Sequence, residues 1–286
     1  MMSACRSFAS SSRALLAAAC AALWLAPAAS RAAPERADRP EPPAPVAYQI
    51  LDESQGLSLH DEMFILPFTH ADTYNGARSE IVFQLSSKQA LFGSRVYFAY
   101  RQVSFWQAYN VKDSSPFRDT NYNPELFYRL RQRPWSGGSL GADVGFEHES
   151  NGQRGDISRS WNQFYVTPAW QRDRLLLRAE LRWRVPESEK SSPLDPRGDD
   201  NPDITDYMGN VDLHAYYRWA NGRQVHLMAR GNLGAGHGFA SVNFSRRLPH
   251  EPNAWLVLTL SHGYGESLLD YDRKVSRVGI GFMLSR

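Results

Sequence analysis

Cysteine is nearly absent from this chain: Cys5 and Cys20 are the only two, and both fall within the first twenty residues. No disulfide can staple the remaining 266 residues, so the stability of the folded part comes from elsewhere. Long apolar runs are also missing. Outside the N-terminus no stretch approaches the roughly 18–20 apolar residues that a spanning helix needs, and 22% of residues are charged. A helical membrane bundle is excluded. Charge of one sign is not in excess either. The formal net charge is +2, which leaves no basic footprint for nucleic acid. Convincing long helical periodicity is lacking too. What is present is aromatic content, 12%, far above that of disordered chains. The 286 residues equal about two average domains, although β-barrels of this size often form one. An aromatic-rich, moderately polar β protein, soluble or membrane-embedded, fits these limits.

The N-terminus carries Arg6 and Arg13, then an apolar run from Ala14 to Ala29, then the small residues Ala28-Ala29-Ser30-Arg31-Ala32-Ala33. That order predicts a secretory signal over 1–32, cut after Ala32. A membrane anchor is the alternative, but the run is short for a span. Removing 1–32 takes away both cysteines and three arginines and no acid, so the formal charge moves from +2 to −1. Residues 33–58 begin Pro-rich and charged, which predicts an extended, mobile leader. The folded domain is expected over 59–286.

That domain breaks into segments of 10 to 13 residues that alternate with period two, the pattern of a transmembrane barrel. Twelve antiparallel strands are expected, near 61–70, 80–92, 94–107, 124–133, 140–150, 160–171, 174–185, 207–219, 223–234, 237–248, 255–266 and 274–285. The connections at 92–94, 171–173, 220–222 and 249–253 are short. Those at 108–123, 151–159, 186–206 and 267–273 are long and polar. Long loops follow odd strands and short turns follow even ones, with 235–236 a short exception and 134–139 somewhat long. This is the asymmetry of a bacterial outer-membrane barrel. Parity agrees. In the seventh strand Leu175, Leu177, Ala179, Leu181 and Trp183 share one face, and Arg174, Leu176, Arg178, Glu180, Arg182 and Arg184 share the other. Lipid outside and a polar lumen explain both stripes. The chain ends Met283-Leu284-Ser285-Arg286, without the terminal aromatic such barrels usually carry.

The apolar face of the fifth strand runs Val144, Phe146, His148, Ser150. A histidine and a serine are thus adjacent on the lipid face at the loop end, where polar groups are costly. The returning strand can place Asn162 beside His148. Together these are a nucleophile, a general base and an orienting acceptor for acyl transfer. The Gly152 N–H is a candidate oxyanion donor. Asp156, Ser158, Ser114, Ser115, Asp199, Asp200 and Asp203 collect hard oxygen donors on the same side, which suits calcium. Two plainer readings stand beside these: interfacial polar residues that merely tolerate headgroups, and an ordinary solvated acidic loop.

Four spaced segments carry a family resemblance. Gly145-Phe146-Glu147-His148-Glu149-Ser150-Asn151-Gly152, with Ser158-Arg159-Ser160-Trp161-Asn162 after it, resembles the signature of bacterial outer-membrane phospholipase A. Ser114–Tyr122, Asp199–Gly209 and Gly263–Tyr271 resemble its other segments, and the likeness runs from about 61 to 284. The resemblance implies a calcium-dependent carboxylic ester hydrolase of the bacterial outer membrane. It would cleave both the sn-1 and sn-2 acyl esters of membrane glycerophospholipids and act as a homodimer. It implies His148 as base, Ser150 as nucleophile and Asn162 as orienter. For calcium it implies Ser114 from the partner subunit with Gln153 and Ser158, and Asp200 for a monomer site. Gln153 stands where the family often has Arg, and Gly155 where an acid is expected, with Asp156 one position later. A non-enzymatic barrel, a narrow channel or a structural protein, is the competing reading. A soluble secreted esterase on a β-sandwich is a third, which the lipid-face parity disfavours.

Overall fold

Strands with one apolar and one polar face satisfy both by closing into a ring, with lipid outside and the polar stripe within. The computed structural model describes residues 48, 51, 53–72, 79–192, 195, 197–251 and 253–284. Its strands are β1 (Met63–Ala71), β2 (Ile81–Ala90), β3 (Val96–Trp106), β4 (Phe117–Arg129), β5 (Arg133–Trp135), β6 (Gly138–Ser150), β7 (Ser160–Arg172), β8 (Leu175–Arg184), β9 (Val211–Arg218), β10 (Arg223–Asn232), β11 (His237–Arg247), β12 (Ala254–Tyr264) and β13 (Lys274–Leu284). Each long strand pairs antiparallel with its neighbours; β1 meets β13, and β4 meets β6, which closes the ring. β5 is a three-residue segment that lengthens the β4–β6 hairpin beyond β4, and it accounts for the longer 134–139 turn. The other twelve strands make the closed all-β antiparallel barrel.

The expected boundaries hold except at two places. β4 begins at Phe117, seven residues before the expected start, so the preceding loop ends at Pro116 rather than 123. Its upper half hides because its buried positions are polar: Asp119, Asn121 and Asn123 alternate along it. Residues 207–208 belong to a short helix, α1 (Ile204–Met208), and β9 starts only at Val211. Ile204 and Met208 are buried with Trp161, Leu268 and Tyr271, so the long loops pack onto one another above the lumen. Asp119 and Asn121 hold one of those loops, accepting from the Leu269 and Leu268 amides at 3.0 and 3.1 Å. The signal region and the leader up to residue 47 lie outside the described residues. The end of the leader packs against the barrel: Tyr48 is buried with Ala169, Leu176 and Tyr216, and its hydroxyl donates to the Arg174 carbonyl at 2.9 Å.

The outer face carries Phe68, Leu126, Phe146, Phe164, Leu177, Trp183, Leu213 and Phe282, all exposed. Inside, many of the charges are paired. Arg182 donates to Glu180 and to Asp212, each at 2.9 Å, and Arg129 donates to Asp143 at 2.8 and 2.6 Å. His60 lies 2.8 Å from Glu125, which also accepts from the Tyr165 hydroxyl at 2.7 Å. Removing such groups from bulk water is offset only when they satisfy one another. Room for them comes from small residues. A Cβ on Gly145 would sit 2.7 Å from both Phe127 Cβ and Tyr165 Cζ. Gly145→Val is therefore expected to destabilise the barrel by about 2–3 kcal/mol through overpacking, read as a lower denaturation midpoint in micelles. An unchanged midpoint would mean that Phe127 and Tyr165 can move aside.

Candidate active site

β6 and β7 form a tight-registered hairpin in which His148 faces Asn162 and Ser150 faces Ser160. Ser150 also stands opposite Tyr122 of β4. His148 and Ser150 are two residues apart on one strand and so share the outward face. His148 Nδ1 lies 3.0 Å from Asn162 Oδ1. Below this pair, Phe146 and Phe164 meet edge to face at 5.3 Å and carry the apolar surface up to it. The three polar side chains are each half-buried. A row of hydroxyl, imidazole and amide therefore sits at the rim of the lipid-facing wall.

The loop behind the row is organised by a residue the sequence pattern did not single out. Asn151 is buried. Its Oδ1 accepts from the Gln153 and Arg159 amides at 3.2 and 3.0 Å, and its Nδ2 donates to the Ile157 carbonyl at 2.9 Å. An Asn directly after a strand and before Gly is a turn signal, and that much was readable. These bonds turn the chain sharply after Ser150 and leave Gly152 at φ 66°, where a Cβ would sit 3.2 Å from the Tyr122 ring. Asn151→Ala removes all three bonds at once. We expect the 151–159 loop to loosen while the strands hold, read as faster amide hydrogen exchange at Gln153 and Arg159. Unchanged exchange at those amides would show that the loop keeps its shape without Asn151.

The expected metal ligands divide. Ser158 Oγ and Ser160 Oγ donate to Asp200 Oδ2 at 2.9 and 3.0 Å, while the other Asp200 oxygen pairs with the Lys190 ammonium. Gln153 is exposed, bound through its amide to Asn151. Asp156 is exposed in a 3-10 turn, and its carbonyl accepts from Arg159 at 2.8 Å. Ser114 ends another 3-10 turn at φ 61°, and no hydrogen bond joins it to Ser158 or Asp200. Asp199 pairs with Arg184. Asp203 accepts from the Tyr271 hydroxyl, and burial and that bond push the Tyr271 phenol up from its ordinary value. Among the described residues no three His, Cys, Asp or Glu side chains cluster as a metal centre. The oxygen set at Ser158 and Asp200 is of the hard kind calcium takes, already drawing one cation in Lys190.

The segment after β8 reaches the row as well. Val185 extends the β7–β8 ladder by donating to the Asn162 carbonyl at 2.8 Å. Two residues on, Glu187 Oε1 accepts from Asn162 Nδ2 at 3.0 Å. The sequence pattern did not flag Glu187, because an irregular connection gives no register by which to place it.

The architecture and the lipid-facing polar row define a bacterial outer-membrane β-barrel. The chain belongs to the phospholipase A1 family, whose family model matches residues 51–284. A phospholipase A1 of Salmonella typhimurium is 36% identical over 221 residues, covering 74% of this chain and 71% of that protein. The curated relatives matched are spanned over 65 to 72% of their own length. Among solved structures, the calcium-bound outer-membrane phospholipase dimer of Salmonella typhi superposes with a TM-score of 0.72 at 32% identity. It covers 83% of this chain and 96% of that one. The outer-membrane phospholipase A of Escherichia coli, solved with an active-site Asn→Ala substitution, gives a TM-score of 0.72 at 30% identity with the same coverage.

Proposed function

We propose that this protein is a calcium-dependent phospholipase that hydrolyses both the sn-1 and sn-2 acyl esters of membrane glycerophospholipids through Ser150, His148 and Asn162. The observation that carries the reading is the 3.0 Å contact between His148 Nδ1 and Asn162 Oδ1 on a face that should be purely apolar. With a carbonyl oxygen against Nδ1, the ring carries its proton there and leaves the Nε2 lone pair free. Nε2 takes the Ser150 proton as Oγ attacks the ester carbonyl, and returns it to the leaving alcohol. Water then repeats the cycle on the acyl-enzyme. The Gly152 N–H serves as a donor to the developing oxyanion. Phe146 and Phe164 give the acyl chain an apolar wall beside the nucleophile.

Ser158 and the Gln153 carbonyl, with Ser114 from the partner subunit, would hold calcium in a homodimer, and Asp200 would serve the single chain. When bound, the ion supplies positive charge beside the oxyanion. The calcium-bound dimer of the Salmonella typhi relative supports both parts. The asparagine of the Escherichia coli active site supports the third triad member.

The test is fatty-acid release from mixed phospholipid–detergent micelles by refolded protein, with lipids labelled separately at each acyl position. Release from both positions that stops in chelator is the expected result. Release from neither would favour the non-enzymatic barrel. For the ion itself, Lys190→Ala frees one Asp200 oxygen, and calorimetry should find calcium bound several-fold more tightly. Unchanged affinity would remove Asp200 from the ligand set.

A further inference from the structure

Asn162 meets His148 with one end of its amide and Glu187 with the other, at 3.0 Å each. The two ends are not equivalent. An ionised carboxylate only accepts hydrogen bonds, so the end facing Glu187 must be the NH2 and the end facing His148 must be the oxygen. Without Glu187 nothing else in this contact chain distinguishes the two orientations. A flipped amide would donate to His148, place the ring proton on Nε2 and leave Ser150 without a base.

The segment carrying Glu187 is pinned on both sides. Val185 continues the strand ladder against Asn162, and the Ser188 carbonyl accepts from the Asp199 amide at 2.8 Å. The neighbouring cations are already engaged, Arg184 by Asp199 and Lys190 by Asp200. Glu187 is half-buried, and its charge is directed at the amide.

We propose that Glu187 is a positioning residue that completes a Glu187–Asn162–His148–Ser150 relay. It locks the amide orientation and supplies, one step further out, the negative charge that a neutral orienter lacks. The proposal rests on the reading of Ser150, His148 and Asn162 as the catalytic row. No proton passes through the amide.

The experiment is a set of variants of the full chain, refolded in micelles, each checked for the folded barrel by its heat-modifiable gel mobility. Glu187→Ala should lower kcat about tenfold, the scale usual for outer partners of an active group, with KM within twofold. Glu187→Gln still offers an oxygen to Asn162 and should fall between Glu187→Ala and the parent. In an Asn162→Ala background Glu187→Ala should cost nothing further. The sharpest arm reverses sign. Asn162→Asp sets two carboxylates against each other, and adding Glu187→Gln should raise the kcat of that variant at least fivefold. A purely structural Glu187 would not produce that rescue.

Equal kcat for Glu187→Ala and the parent, while Ser150→Ala abolishes hydrolysis, would overturn the relay and leave the triad reading intact. Multiplicative losses in the Asn162→Ala background would do the same. Hydrolysis that survives Ser150→Ala would overturn the triad reading, and the relay with it.

Discussion

Ser150→Ala is expected to abolish fatty-acid release, lowering kcat by at least about a thousandfold, while the barrel folds as before. Removing the nucleophile of a Ser-His catalytic unit costs far more than removing any single binding contact, because the covalent route closes entirely. The fold has no stake in this hydroxyl. Ser150 is half-buried at the strand end, and its backbone partners on β4 and β7 are independent of the side chain. Stability and activity should therefore separate cleanly. The measurement pairs release from mixed micelles with a denaturation curve on the same preparation. Full hydrolysis in the variant, or loss of the folded barrel, would contradict the assignment.

Arg182→Ala is expected to act in the opposite way, costing about 3–5 kcal/mol of stability while leaving the reacting groups in place. The guanidinium is almost wholly buried and bridges Glu180 and Asp212, which are themselves only 7% and 5% exposed. Truncation leaves two carboxylates close together. Arg178 at 3.4 Å from Glu180 and Arg230 at 3.9 Å from Asp212 compensate only in part. A double variant, Arg182→Met with Asp212→Asn, should recover much of the loss because it removes the unpaired charge too. Denaturant unfolding in micelles reads both. A loss below about 1 kcal/mol would mean that lumen water screens these charges as a surface does.

The lumen network also bears on the competing channel reading. Single-channel recording on planar bilayers should find no steady conductance, because the residues just before β1 reach strands far apart in the ring: His60 lies against Glu125 of β4, Asp61 against Arg101 of β3 and Glu62 against His226 of β10. A stable open conductance would revive it.

How much was legible depended on period and register. The alternation of β6 and β8 announced both the strands and their faces, because apolar residues on one face alternate with mostly charged or small residues on the other, Leu176 in β8 aside. β4 was half hidden, since Asp119, Asn121 and Asn123 on its inner side read as loop residues until the 268–269 amides they serve are in view. α1 was missed because its five residues are too few to establish a helical period. The meeting of His148 and Asn162 was readable because a hairpin fixes cross-strand partners. Asn151 and Glu187 were not. Asn151 bonds backbone groups up to eight residues away, and Glu187 reaches Asn162 from an irregular connection 25 residues on. Parity says nothing about either.

The most direct test of the central claim is covalent titration of the folded protein, with calcium added, by a long-chain alkyl sulfonyl fluoride, then peptide mass mapping. An activated serine on the lipid face attacks the sulfur and expels fluoride. The account predicts one adduct per chain, on Ser150, absent from His148→Ala. Folded protein that stays unlabelled, or carries its label elsewhere, would contradict it.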